Sequence, residues 1–109
     1  MVSVFAPEVF GPKMWHIIHA ASASYPAKAS APEMEEMMFF ITGIPAAIPC
    51  NACKMDTRRY LAHKFSPEVL KGRRELFEFF VAFHNYVNAK LGKPLMSLEA
   101  AEKKWSEKS

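Results

Sequence analysis

Apolar residues recur at helical spacing along most of the chain, and no run alternates with the period of two that a half-buried strand requires. The clearest stripe has the spacing i, i+3, i+4, i+7 and consists of Met34, Met37, Met38, Ile41 and Ile44. An earlier stripe consists of Met14, Ile17, Ile18 and Ala21. Helices bury such stripes against one another. The pattern therefore predicts an all-α protein.

Proline, glycine and short polar residues divide the chain into five predicted helices. Their expected bounds are about 12–24 after an arm of residues 1–10, 30–44 before Pro45 and Pro49, 50–65, 73–91, and a last short helix capped by Ser97. A short turn is expected at 66–68, and residues 106–109 are expected to fray. With 109 residues, the chain is expected to form one domain.

Charge and hydropathy exclude several classes of protein. The net charge of +3 is mild and its signs are interspersed, so we expect no nucleic-acid partner. The longest apolar stretch, 37–49, is interrupted and too short to span a bilayer, so we expect no membrane association. The first residues lack the features of a signal peptide, which predicts a protein that stays where it is made. A Cys-x-x-Cys pair in such a compartment is more often catalytic or metal-binding than structural.

The two cysteines, Cys50 and Cys53, are the main chemical feature of the sequence. This spacing serves a redox-active dithiol or half of a metal site. The cysteines follow two prolines and precede a helical stretch, so they are expected at a helix start. Unpaired backbone N–H groups and the helix dipole stabilise a thiolate there and lower the cysteine pKa.

Two polar residues, His84 and Asn88, interrupt the apolar stripe of the predicted fourth helix. Burying them without partners would cost about 1–3 kcal/mol each. Either they are satisfied within the protein, or a polar ligand sits against this face. Trp15 and His19, four residues apart, share a face of the first helix, and Trp105 is expected to dock on core or cofactor.

Four segments together resemble the Erv/ALR family of FAD-linked sulfhydryl oxidases. They are Gly11-Pro12-Lys13-Met14-Trp15-His16-Ile17-Ile18-His19, Pro49-Cys50-Asn51-Ala52-Cys53, Phe83-His84-Asn85-Tyr86-Val87-Asn88-Ala89-Lys90-Leu91-Gly92-Lys93-Pro94, and Trp105. The small size and the absence of other cysteines are most similar to the compact members encoded by large DNA viruses. The resemblance implies a four-helix bundle with a short fifth helix, holding FAD non-covalently at one end.

The resemblance also implies roles for individual residues. Cys53 would be the flavin-proximal sulfur and Cys50 the outer sulfur that substrate thiolates attack. The FAD pocket would be lined by Trp15, His19, His84, Asn85, Val87, Asn88, Leu91 and Trp105. Lys90 and Lys93 would pair with the phosphates, with help from Lys13. Electrons would pass from dithiol substrate proteins through the cysteines to FAD and on to dioxygen, giving hydrogen peroxide.

Cellular members of the family carry a second, shuttle cysteine pair and a structural disulfide, and this chain has neither. Substrate dithiols would then reach Cys50 directly or through a thioredoxin-like relay protein, and any homodimer would be non-covalent. The viral likeness implies the cytoplasm of an infected host cell, with packaging in the virion. The Gly-rich loop of Rossmann cofactor binding is absent.

Two alternative functions use the same cysteines. A zinc-binding interaction module would combine them with two of His16, His19, His63 and His84. A zinc site would not explain the asparagines and lysines of the fourth helix. The resemblance to the Erv/ALR family implies no metal site. A thioredoxin-like thiol exchanger would need a βαβ pattern, which the sequence does not show.

Overall fold

The computed structural model describes residues 2–106, and all regular structure within them is helical. The elements are α1 (Pro7–Ala23), α2 (Ala31–Ala47), α3 (Asn51–Lys64), a 3₁₀ turn (Pro67–Leu70), α4 (Arg73–Lys90) and α5 (Leu98–Lys104). The expected fold class, four longer helices with a short fifth, is confirmed. A thioredoxin-like exchanger would need a sheet, which residues 2–106 do not contain.

Local signals place most helix boundaries. Ser30 caps α2 by accepting a hydrogen bond from the Glu33 backbone, and the Glu33 carboxylate accepts one from Ser30 in return. Ser97 caps α5 by accepting from the Ala100 N–H at 3.1 Å. Gly92, with φ of +70°, lies just beyond α4, where a left-handed residue ends a helix at little cost.

Two prolines lie inside helices, and both boundary predictions based on them were wrong. The first helix begins at Pro7 rather than Pro12, so the arm is shorter than expected. Pro7 and Glu8 supply the proline and the acid that favour a first turn. The second helix continues through Pro45 to Ala47, because packing compensates for one missing N–H donor. The predicted frayed tail lies outside the described residues, except for Ser106.

The fourth helix is the centre of the core. It packs against α1, the 3₁₀ turn and α5, while α2 packs against α3. Leu76 and Phe80 of α4 are completely buried in the main cluster, and Phe77 joins Trp105 in a second cluster that docks α5. Ile17, expected in the stripe of the first helix, is 55% exposed, and Leu91, expected to line the cofactor pocket, is 57% exposed.

The loop after α1 and the loop before α4 are joined backbone to backbone. Ala29 N–H donates to the Lys71 carbonyl at 2.9 Å, and Arg73 N–H donates to the Pro26 carbonyl at 2.9 Å. Between these bonds, a Cβ on Gly72 would overlap the carbonyl oxygen of Ala27. The glycine is therefore required by this close approach of two backbones.

None of the helices described in residues 2–106 combines the length and the hydropathy needed to cross a bilayer.

Candidate active site

The cysteine pair lies where α3 begins. Asn51 is the first helical residue, and Cys50 is the N-cap with an extended backbone. The Cys50 Sγ accepts a hydrogen bond from the Cys53 backbone N–H at 3.3 Å. Both cysteines carry free thiols in this structure. The thiol of Cys50 therefore takes the position in which a side-chain acceptor satisfies the first unpaired donors of a helix.

The two thiols differ in acidity. Hydrogen bonds from the Cys53 thiol and then from the Cys53 backbone N–H lower the pKa of Cys50. Burial is the main cause that raises the pKa of Cys53 to about 11, followed by its hydrogen bond and charge interaction with Cys50. The expectation that the helix start lowers the pKa of both cysteines is therefore wrong for Cys53. Desolvation exceeds the effect of the helix terminus there.

Cys53 lines a cavity of about 470 Å³ formed by α1, α3, α4 and the ends of α2 and α5, whereas Cys50 does not line it. The cavity brings together eight of the predicted cofactor-binding residues, namely Trp15, His84, Val87, Asn88, Lys90, Leu91, Lys93 and Trp105. Lys13, His19 and Asn85 were predicted as well, and they are not among the lining residues. Its volume is in the range of small-molecule and cofactor sites.

Stacked rings form one wall of the cavity. Trp15 and His84 lie parallel, with ring centroids 4.0 Å apart and planes 7° from parallel. Behind them His19 is completely buried, with its ring centroid 4.0 Å from that of Trp105. His19 Nε2 and His84 Nδ1 share a hydrogen bond of 2.8 Å. His19 therefore supports the wall from behind rather than lining it.

Both histidines in this wall are neutral at pH 7. Burial, followed by the charge of His84, lowers the pKa of His19 to about 3. Burial, followed by the charges of Lys104 and Lys93, lowers the pKa of His84 to about 4. A neutral imidazole carries one N–H donor and one acceptor, so the hydrogen bond to His19 leaves the second ring nitrogen of His84 free to bind a ligand.

The two asparagines of α4 have separate surroundings. Asn85 holds the following loop, because its amide donates to the Met96 carbonyl and its Oδ1 accepts from the Met96 N–H, both at 2.8 Å. Asn88 is buried at the cavity wall, and its side chain makes no hydrogen bond to any residue in 2–106. An amide left in this way would be satisfied by a polar ligand.

The lysines at the cavity also divide into two kinds. Asp56 accepts hydrogen bonds from Lys90 Nζ at 2.8 Å and from Tyr86 Oη at 2.9 Å. The Lys90 charge is thus already paired. Lys93 and Lys104 line the same cavity and have no carboxylate partner among residues 2–106. Lys104 also lies 4.8 Å from the ring centroid of Trp105, as in a cation–π contact.

The sequence reasoning missed Asp56 and Lys104. Asp56 follows Cys53 by one helical turn, and Lys104 precedes Trp105, so adjacency to an identified residue was the available signal. Neither signal shows that the side chain reaches the cavity. Lys13 is exposed and does not line the cavity, so its role toward the phosphates stays a prediction.

The zinc-module alternative has no site in the part of the chain that the structure describes. No three His, Cys, Asp or Glu side chains of residues 2–106 lie close enough together to hold a metal ion. A structural zinc site needs four such ligands. His63, one of the ligands considered, instead bonds its Nδ1 to the Arg59 carbonyl at 2.8 Å.

Residues 12–106 match the Erv1 / Alr family. This match covers most of the chain, including the cysteine pair, the cavity wall and α5. The chain belongs to the Erv1/Alr family. The resemblance drawn from the four sequence segments is therefore confirmed.

Individual Erv1/Alr relatives agree in sequence and in fold. A protein of Invertebrate iridescent virus 6 named as an FAD-linked sulfhydryl oxidase is 36% identical over 91% of this chain and 94% of its own length. The mitochondrial FAD-linked sulfhydryl oxidase ERV1 of Saccharomyces cerevisiae is 34% identical, and the match spans 52% of its length. The crystal structure of the FAD-binding domain of yeast Erv1 superposes with a TM-score of 0.84 at 32% identity, covering 92% of this chain and 93% of that domain.

Proposed function

We propose that this protein is an FAD-dependent sulfhydryl oxidase that makes disulfide bonds in dithiol substrate proteins. One observation carries the proposal: the inner cysteine of a Cys-x-x-Cys pair lines a cavity whose wall is aromatic and whose rim is basic. The outer cysteine is at the helix start beside that cavity. Relatives that are 36% and 34% identical to this chain are named FAD-linked sulfhydryl oxidases.

The residues at the cavity suit FAD in three respects. Trp15 and Trp105 offer flat aromatic surfaces to ring systems such as those of the cofactor. Lys93 and Lys104, which have no carboxylate partner within residues 2–106, offer cations to its two phosphates. The Asn88 amide offers the hydrogen-bonding capacity that a ribose or a ring edge would use.

The thiol chemistry follows from the positions of the two sulfurs. In the oxidised pair, a substrate thiolate attacks Cys50 Sγ, a substrate–Cys50 disulfide forms, and the Cys50–Cys53 bond breaks with its electron pair on Cys53. A second substrate thiolate then attacks the bound substrate sulfur and releases Cys50. The substrate leaves with a new disulfide, and both cysteines are reduced. When bound, FAD supplies the two-electron acceptor that restores the cysteine disulfide and passes the electrons to dioxygen, giving hydrogen peroxide.

Access and acidity favour different sulfurs as the point of attack. Cys53 faces the cavity, so Cys50 is the sulfur that a protein substrate can reach. Cys53 is, however, the poorer leaving group, because burial raises its pKa to about 11. We assign the attack to Cys50, since a sulfur enclosed beside the cofactor cannot be approached by a folded substrate. Binding of the electron-poor flavin would then stabilise the Cys53 thiolate.

The proposal extends to the partner proteins, the oligomeric state and the cellular location. Substrate dithiols would reach Cys50 directly or through a thioredoxin-like relay protein, since this chain has no second cysteine pair. We also propose a non-covalent homodimer, to which exposed apolar side chains such as Ile17 of α1 and Phe39 of α2, 55% and 69% exposed, would contribute contact area. We propose that residues 1–109 act as one domain. The match to a virus protein supports the cytoplasm of an infected host cell, and packaging in the virion, as its location.

The proposal is tested on the purified protein with and without added FAD. Flavin absorbance, consumption of dioxygen with dithiothreitol as the electron donor, and formation of hydrogen peroxide are the expected results. Cys53→Ser should keep the flavin and lose turnover. A protein that stays colourless after incubation with FAD, or a Cys53→Ser variant that oxidises dithiothreitol at the normal rate, would refute it.

A further inference from the structure

The positive charge of this chain is concentrated on the helix that begins at the cysteines. The α3 helix, Asn51–Lys64, holds four of the chain's 14 lysines and arginines but one of its 11 aspartates and glutamates. The ten basic and ten acidic residues elsewhere cancel, so the net charge of +3 belongs to α3. A globally mild charge therefore conceals a local cationic surface.

The single carboxylate of α3 does not neutralise that surface. Asp56 Oδ1 accepts hydrogen bonds from Lys90 and Tyr86 of α4 at the cavity. Arg59 approaches it only to 3.7 Å, with its side chain 64% exposed. Lys54, Arg58 and Lys64 have no carboxylate partner among residues 2–106. Their charges are thus directed to solvent or to a partner.

The basic surface of α3 begins near Cys50, the sulfur that does not line the cavity. Lys54 and Arg58 follow Cys50 at i+4 and i+8, and residues at this spacing form a row along one side of a helix. Arg58 is exposed and lies about 12 Å along the helix axis from Cys50. We use the name α3 basic row for Lys54 and Arg58. A molecule bonded to Cys50 would lie alongside this row.

The segment that leads to Cys50 carries no charge. Residues 37–49, which form the second half of α2 and the link to α3, contain no charged side chain. Ala46, Ala47, Pro49 and Ala52 are small and exposed there. No carboxylate in this stretch competes with a partner for the basic row.

We propose that the α3 basic row is the docking surface for the substrate protein, and that the segment carrying the substrate dithiol is flanked by acidic side chains. The inference rests on the proposed function in one respect, the use of Cys50 as the entry sulfur. A matching negative charge speeds encounter and fixes orientation on the row. A nucleic acid would also meet a basic surface, but it carries no thiol for Cys50 and gains nothing from lying beside it.

The test uses two peptides with the same Cys-x-x-Cys centre, one flanked by glutamates and the other by lysines. At low ionic strength the FAD-loaded protein should oxidise the glutamate peptide with a kcat/KM about tenfold higher. The preference should shrink near physiological salt, where the Debye length is about 8 Å. Arg58→Glu should remove it. Dithiothreitol, which is uncharged, should be oxidised equally by wild type and variant.

Lys28→Glu is the matched control, because Lys28 precedes α2 and lies at the opposite end of that helix from Cys50, about 25 Å away. It makes the same change in net charge and should keep the preference for the glutamate peptide. Equal kcat/KM values for both peptides, or an equal loss in both variants, would overturn the proposal.

A binding measurement separates this inference from the enzymatic function. Versions of the two peptides with serine in place of cysteine carry a fluorophore, and anisotropy reports their binding to the protein without turnover. Tighter binding of the glutamate peptide, weakened by Arg58→Glu and not by Lys28→Glu, supports the docking surface even in a preparation that does not oxidise dithiothreitol. Failure of both peptides to bind would count against the docking surface. So would a glutamate peptide that an oligonucleotide displaces and an excess of the same unlabelled peptide does not.

Discussion

Gly72 provides the sharpest test of how the fold is held together. Its backbone is extended, with φ of −172°, so an alanine would suffer no strain from the backbone angles. The added Cβ would instead overlap the carbonyl oxygen of Ala27. The overlap can be relieved only by separating the two loops, and this would strain the hydrogen bonds Ala29–Lys71 and Arg73–Pro26 on either side.

The expected loss of stability combines these effects. Overpacking costs about 1–3 kcal/mol, and weakening two hydrogen bonds adds about 1 kcal/mol each. The smaller conformational entropy of unfolded alanine offsets about 0.4–1 kcal/mol. We expect Gly72→Ala to lower the free energy of unfolding by about 2–4 kcal/mol. For a domain of this size, that corresponds to a fall in Tm of at least about 8 °C.

Gly43→Ala is the matched control. Gly43 lies inside α2, and nothing comes within 4 Å of a Cβ added there. Alanine is about 1 kcal/mol more favourable than glycine in a helix, so this variant should be more stable than wild type. Urea unfolding followed by far-UV circular dichroism, at the same FAD content for all three proteins, measures both changes. A Gly72→Ala protein as stable as wild type would refute the close-approach argument.

Three further predictions concern the site. In the reduced wild-type protein without FAD, alkylation of each cysteine followed by mass spectrometry against pH should give a lowered thiol pKa for Cys50 and a pKa of about 11 for Cys53; equal values would contradict the burial argument. Because burial lowers the pKa of His19 to about 3, the unfolded chain takes up a proton at His19 below pH 6.5 and the folded protein does not, so the free energy of unfolding falls as the pH drops from 6.5 toward 3. His19→Gln should remove this contribution, on the order of 1 kcal/mol between pH 6.5 and 5, in acid titrations of stability. Lys104→Gln should weaken FAD binding several-fold in fluorescence titrations, whereas Lys103→Gln on the exposed side of α5 should not; equal effects would exclude a direct role for Lys104.

Local interactions made much of the structure predictable from the sequence. Helix caps, apolar periodicity and glycine at a helix end act over a few residues, and they placed α3, α4 and α5 within one or two positions. Prolines were less informative. Pro12 and Pro45 remove one helical hydrogen bond each, and whether the helix extends beyond the proline depends on the residues before Pro12 and after Pro45.

The chemistry of the site required the tertiary structure. The motif identified Cys50 and Cys53, but the difference in their acidity depends on which of them the fold buries. Likewise, the resemblance predicts that Lys90 pairs with a phosphate, and only the fold shows that Lys90 also donates a hydrogen bond to Asp56 on another helix. Asn85 and Asn88 are three residues apart on one helix, yet one holds a loop and the other lines the cavity.

The sequence by itself determined the fold class, the helical placement of the cysteines and the family, because each depends on residue types at short, fixed spacings. Only the tertiary structure decided how far each sulfur is buried and which lysines at the cavity carry unpaired charge. These properties depend on burial and on distances between side chains far apart in the chain. They arise only when α1, α3, α4 and α5 pack together.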